Sequence, residues 1–186
     1  LEPEFYLFRR DDATGRLTPV NDSFMFSQAG LAMEQAFITD VIDELGGMGV
    51  TVPQFGKEYG RGQYEMSILH GNPVQAVDDY FSLKETVRDL ARARGYVASF
   101  MPKIAETIAG NSLHVHLSLW TADGAVDLTP GREDDTSLSP EGRWFVAGIL
   151  AHVEALTGLG SPTVNSYKRL QPGSWAPANT YWGYGN

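Results

Sequence analysis

Four carboxylates and an imidazole recur at close spacing: Glu2 beside Glu4, Glu58 and Glu65 either side of Gly60-Arg61-Gly62, and His114 heading His-Val-His. Carboxylates set this close repel unless a cation or a basic group lies between them. Oxygen donors with an occasional imidazole suit Mg²⁺ or Mn²⁺, and a thiolate zinc site is ruled out because the chain has no cysteine. Five donors exceed what one ion needs once waters are counted, so two ions is the natural reading. Two cations bridging phosphate oxygens are a recurring device for phosphoryl transfer. Arg169 in Asn165-Ser166-Tyr167-Lys168-Arg169 could then meet a carboxylate or a developing phosphoryl charge by bidentate contact.

These residues need elements to hold them. Leu1 to Phe8 alternates, which predicts a strand with Glu2 and Glu4 on one face and Pro3 at its start. A solvated strand edge would carry the same two acids. Residues 13–28 hold Gly15, Pro19, Asn21 and Asp22 and read as loop or hairpin. From about Ala29 to Leu45 apolar residues recur at helical spacing, with Gly46-Gly47 as the stop. Val50-Thr51-Val52 reads as a strand start. Gly60-Arg61-Gly62 predicts a tight turn between two strands, one carrying Glu58 and the other Glu65, so that all four acids are expected on strands and these two come together. Residues 73–94 predict a long helix whose buried face runs from Val74, Val77 and Phe81 to Leu83, Val87 and Ala91, ended by Gly95.

Tyr96 to Met101 predicts a strand, and Gly110 to Leu119 another, with His114, His116 and Ser118 on one face. Its other row, Leu113, Val115, Leu117 and Leu119, wants a core. Residues 121–140 read as a surface loop, and Ser139-Pro140-Glu141 as a helix start with an apolar stripe from Trp144 to Leu156. His152 falls in that stripe and reads as a structural histidine; His70 reads as surface. The tail from Asn165 to Pro177 reads as loop. Hairpin connections predict an α+β fold, a largely antiparallel sheet with flanking helices.

Composition narrows the partners. A net charge of −9 disfavours a phosphate backbone, so no nucleic acid is expected. No apolar run approaches the ~18 residues of a membrane-spanning helix, and no signal peptide is expected. Absent cysteine fits a reducing compartment, and the expected location is cytoplasmic. The chain opens on Leu1 without a methionine and reads as an excised piece of a longer protein.

Four motifs in order, Glu-Pro-Glu-Phe, Glu58 through Glu65 with its Gly-Gln centre, Pro102-Lys103 before Gly-Asn-Ser-Leu-His-Val-His-Leu-Ser, and Asn-Ser-Tyr-Lys-Arg-Leu-Gln-Pro-Gly, resemble the glutamine synthetase family. The resemblance implies a partial catalytic domain over residues 1–186, with the small N-terminal domain and the C-terminal remainder absent. It implies an ATP-dependent carbon–nitrogen ligase of nitrogen metabolism that activates glutamate as γ-glutamyl phosphate for attack by an amine. It also implies stacked hexameric rings at full length and little activity in the isolated fragment.

Position by position, Glu4, Glu58 and Glu65 resemble ligands of one Mg²⁺ or Mn²⁺ ion, and Glu2 and His114 resemble two of the three ligands of a second. His116 and Ser118 match ATP-contacting positions. Gly110 matches a glutamate-contacting glycine, and Arg169 the arginine that binds the substrate carboxylate. Two departures matter. Ala109 stands where ammonia-using members have an asparagine, and Trp175 replaces a glutamate that binds ammonium and takes its proton. Tryptophan cannot be a base, but it offers an aromatic wall to an alkyl amine. The resemblance therefore favours a polyamine, ethanolamine or methylamine acceptor, as in the γ-glutamylpolyamine or γ-glutamylamide synthetase branch. A true glutamine synthetase using ammonia, a non-catalytic structural relative and a metal hydrolase or oxygenase are the competing readings.

Overall fold

In the computed structural model, residues 1–131, 138–174, 176–177 and 179–183 are described. They fall in two compact units, Leu1–Val115 and His116–Asn186.

The first unit is built on β1 (Glu2–Arg10), which pairs antiparallel with every neighbour it has. Its far end pairs with β2 (Leu17–Pro19), its middle with β4 (Gln63–Ser67) and β5 (Tyr96–Ser99), and its start with β6 (Leu113–His114). β3 (Gln54–Lys57) joins β4 on the outer side. Tyr6 is opposite both Gln63 and Ser99, so β4 and β5 flank β1 on opposite edges. The expected α+β class with a mainly antiparallel sheet is what the structure has.

Successive side chains on a strand point to opposite faces. Phe5 and Leu7 point to the core, where Tyr64 and Met66 of β4 join them. Two helices cover this face. They are α2 (Gln35–Gly47), which contributes Phe37, Val41 and Leu45, and α3 (Pro73–Ala93), which contributes Leu83, Val87 and Ala91. Glu2, Glu4 and Tyr6 point the other way. Asn72 caps α3 by accepting from the Val74 N–H, Pro73 enters where no N–H is needed, and Gly95 leaves at φ +70°.

Several expectations are corrected. The helix read between Ala29 and Leu45 is broken at Glu34 into α1 (Gln28–Met33) and α2. Val50-Thr51-Val52 forms no strand; Pro53, which has no N–H to donate, follows it, and β3 starts at Gln54. On α3, Val74, Val77 and Phe81 are exposed, so the buried stripe is narrower and starts at Leu83. The strand expected over Gly110–Leu119 shrinks to Leu113–His114, and Leu113, Val115 and Leu117 are exposed rather than packed.

In the second unit, isolated bridges join Trp120 to Asp127 and Pro130 to Leu138 within the expected loop. The helix after Ser139 is two helices, α4 (Pro140–Ala151) and α5 (Val153–Gly160). His152 lies at their junction and is exposed, so it is not a core histidine. Part of the tail read as loop is α6 (Val164–Arg169), capped by Thr163, whose hydroxyl accepts from the Ser166 N–H. No helix among the described residues is long and apolar enough to cross a membrane.

Candidate metal centre

Register assembles the site. β1 and β4 place Glu4 directly opposite Glu65, and β1 and β6 place Glu2 opposite His114. All four side chains project from the sheet face away from the helices. Like charges directly opposite destabilise a sheet, so the Glu4–Glu65 pair is a cost that the fold accepts. Glu58 comes from the turn after β3 rather than from a strand, correcting the expectation that all the acids lie on strands.

The five expected ligands form two triads. One ligand atom each of Glu4, Glu58 and Glu65 lie within 4.8 Å of one another, as do those of Glu2, Glu65 and His114. Glu65 belongs to both. The donor set, carboxylate-rich with one imidazole, suits hard divalent cations. His114 Nδ1 is 3.5 Å from Glu65 and 3.7 Å from Glu2. Hydrogen bonding to Glu65, reinforced by the nearby acids and opposed by partial burial, raises the His114 pKa above the usual imidazole range. Burial raises the Glu58 pKa; the charges of Glu4 and Glu65 push the same way, while the Tyr59 N–H and Lys57 oppose them.

Neutral donors hold the buried Glu4. It accepts from the Gln63 amide at 3.1 Å, from the Ser112 N–H at 2.9 Å and from the Ser112 hydroxyl. The Tyr59 N–H donates to Glu58 at 2.7 Å. The turn that carries Glu58 is locked from beneath by Lys57, 1 % exposed, whose ammonium donates to the Glu58 and Gly60 carbonyls at 2.6 and 2.5 Å. Burial pushes the Lys57 pKa down to about 8. Across the site, Tyr6 donates to the Ala109 carbonyl at 2.8 Å.

Lys57, Gln63, Ser112 and Tyr6 escaped the sequence reading. Alternation alone places Gln63 on the face of Glu65, and Ser112 on that of His114, two residues away in each case. Nothing local marks Lys57.

The other candidates belong to neither triad. Gly110 is in the first unit, and its carbonyl accepts from Gln63 at 3.0 Å. His116 and Ser118 are exposed in the second unit, off any strand, where Ser118 Oγ accepts from the Trp120 indole at 2.9 Å. Arg169 ends α6, and its carbonyl accepts from the Ser174 hydroxyl at 2.8 Å. Trp175 lies outside the described residues.

Comparison with known proteins gives a consistent picture. The family model described as "Glutamine synthetase, catalytic domain" matches residues 1–186. The chain is 35% identical to a glutamine synthetase of Thermococcus kodakarensis over 185 residues, 100% of this chain and 40% of that protein. It is 36% identical to Type-1 glutamine synthetase 1 of Dictyostelium discoideum over 149 residues, 80% of this chain and 29% of that one. A solved structure of apo GmaS superposes with a TM-score of 0.81 at 32% identity, covering 91% of this chain and 40% of that chain. A GmaS/ADP complex gives 0.79 at 30% identity, over 92% of this chain and 40% of that chain. The chain thus spans at most about two fifths of these relatives.

Proposed function

Because the chain belongs to the glutamine synthetase catalytic-domain family, we propose that the full-length protein is an ATP-dependent ligase that activates glutamate as γ-glutamyl phosphate and joins it to an amine. The observation that carries this reading is the pair of acid-rich triads sharing Glu65. Glu4, Glu58 and Glu65 would hold one divalent cation, and Glu2 and His114, with Glu65 in reach, the other. Bound there, Mg²⁺ or Mn²⁺ would neutralise the charge on phosphate oxygens.

The chain's own residues have separable tasks. Ser112 and Gln63 fix the Glu4 carboxylate, and Lys57 fixes the turn bearing Glu58. His116 and Ser118 are proposed to contact ATP, Gly110 to contact glutamate, and Arg169 to grip the glutamate carboxylate through its planar fork. A γ-carboxylate oxygen attacks the terminal phosphorus of ATP and the bond to ADP breaks. The amine nitrogen then attacks the acyl carbon, phosphate leaves with the bonding pair, and the nitrogen loses a proton. Excluding water protects the acyl phosphate between the two steps.

For the acceptor, a polyamine, ethanolamine or methylamine is favoured over ammonia. Trp175 supports this, since it brings an apolar ring where a base would serve ammonium. ADP release by the full-length protein, with glutamate and a panel of these amines and ammonium, tests both parts. Turnover is expected to be fastest with one of the larger amines. Ammonium as the best acceptor would mean a true glutamine synthetase, and no amine-dependent ADP release would remove the ligase reading. Residues 1–186 alone, as a partial catalytic domain, are expected to turn over little or not at all in the same assay.

A further inference from the structure

Gln63 is 1 % exposed and lies between the Glu4 carboxylate and the segment Gly110-Asn111-Ser112. Its Oε1 accepts from the Gly60 N–H at 2.8 Å, which fixes one end of the amide on the Glu58 turn. Its Nε2 faces three acceptors: Glu4 Oε2 at 3.1 Å, the Gly110 carbonyl at 3.0 Å and Asn111 Oδ1 at 3.0 Å. An amide nitrogen has two protons to give. Three acceptors therefore compete for them, and the charge on Glu4 weights the competition.

The remaining anchors show which partner is free to respond. Asn111 is held at its other end, its Nδ2 donating to the Ser99 and Met101 carbonyls at 3.1 and 3.0 Å, and its N–H to the Pro102 carbonyl at 3.0 Å. Glu4 has Ser112 as a second donor residue. Among the described residues, the Gly110 carbonyl takes its hydrogen bond from Gln63. A cation drawing on the Glu4 carboxylate weakens that oxygen's hold on the amide protons, because charge-assisted acceptors outcompete neutral ones only while the charge is available. The protons then serve Gly110 and Asn111.

We propose that Gln63 is a positioning residue that couples cation binding at Glu4 to the ordering of Gly110 and Asn111. Where that segment contacts glutamate, which rests on the function proposed above, the cation and the substrate assist each other through this amide. By reciprocity each tightens the other by the same factor.

Amide hydrogen exchange on the full-length protein, with Mn²⁺ as the probe, reads the coupling without any turnover. In the unsubstituted protein, saturating Mn²⁺ is expected to slow exchange at Gly110 and Asn111 about tenfold, within the usual range for coupled sites. Unchanged exchange there overturns the proposal whatever any variant does. Gln63→Met keeps the side chain's length and volume and removes both polar ends. It is expected to retain Mn²⁺ binding, weakened about 10-fold to 100-fold as for other groups that orient ligands, and to lose the protection at saturation. Protection that survives in Gln63→Met also overturns the proposal. A glutamate titration separates this from the functional reading. In the unsubstituted protein Mn²⁺ is expected to lower the Kd for glutamate, and in Gln63→Met to leave it unchanged. Failure of glutamate to bind at all, with the Mn²⁺-dependent protection intact, counts against the proposed substrate and leaves the coupling standing.

Discussion

Glu65→Gln in the full-length protein is expected to remove both cations at once, whereas Glu58→Gln and His114→Ala each leave one. The difference follows from the shared corner: Glu65 offers an oxygen to the Glu4–Glu58 pair and to the Glu2–His114 pair, while the other two residues each belong to one triad. A neutral amide keeps the shape and removes the charge that a divalent ion needs. Loss of a direct ligand exceeds the roughly 10-fold to 100-fold effect of losing a group that merely orients one. On the proposed function, amine-dependent ADP release should therefore fall at least about 100-fold in Glu65→Gln. Counting bound Mn²⁺ by equilibrium dialysis separates the three variants. Loss of a single ion in Glu65→Gln would mean that the triads fill independently.

Gly62→Val is expected to cost about 4 kcal/mol or to prevent folding. Gly62 sits at φ +68°, and a Cβ there would lie 2.7 Å from the Leu7 carbonyl oxygen and 3.2 Å from the Val20 nitrogen. Both are backbone atoms of the sheet and its margin, so neither can swing aside. The left-handed conformation costs roughly 1–2 kcal/mol for any residue with a Cβ, and overpacking a tight site roughly 1–3 kcal/mol more, with β-branching worsening both. The Gly62 carbonyl also accepts from the Leu7 N–H at 2.8 Å, so displacing the turn breaks its seat on β1. Gly46→Ala is the control: a Cβ at Gly46 meets nothing within 4 Å on α2, and alanine there should stabilise by about 0.5–1 kcal/mol. Urea midpoints of the two variants, shifted in opposite directions, are the measurement. An unchanged midpoint for Gly62→Val would show that the turn can be reseated freely.

How far the chain could be read without coordinates depended on whether its cues were local. β1 was legible because Glu2, Glu4, Phe5 and Leu7 alternate, and α3 because its helical spacing and glycine exit agree, although that spacing overstated the buried face at Val74, Val77 and Phe81. The turn at Gly60–Gly62 was legible because glycine answers a local backbone need. The break at Glu34 was not, since apolar spacing continues across it. The brevity of β6 was hidden for another reason: alternation over Leu113–Leu119 looks alike whether or not a partner strand continues beside it. At the site, residue types pointed to the acids and the imidazole that the fold gathers into the two triads. The registers that set Glu4 against Glu65 and Glu2 against His114 depend on pairings between distant segments, which no local window contains. Lys57 stayed hidden because a lysine in sequence looks like surface, and only the fold shows it closed beneath the turn.

The two triads should also differ in how easily each would release a bound ion. Glu4 is 8 % exposed, sits within a strand paired on both edges, and is gripped by Ser112 and Gln63. His114, by contrast, is 57 % exposed at the side chain and ends a two-residue strand. An ion leaving the Glu2–Glu65–His114 corner needs only an imidazole to swing outward, while one leaving the Glu4 corner must wait for the centre of the sheet to loosen. Residence times at the two corners should accordingly be unequal, the outer one short enough to refill from solution between encounters and the inner one long enough to behave as a fixture.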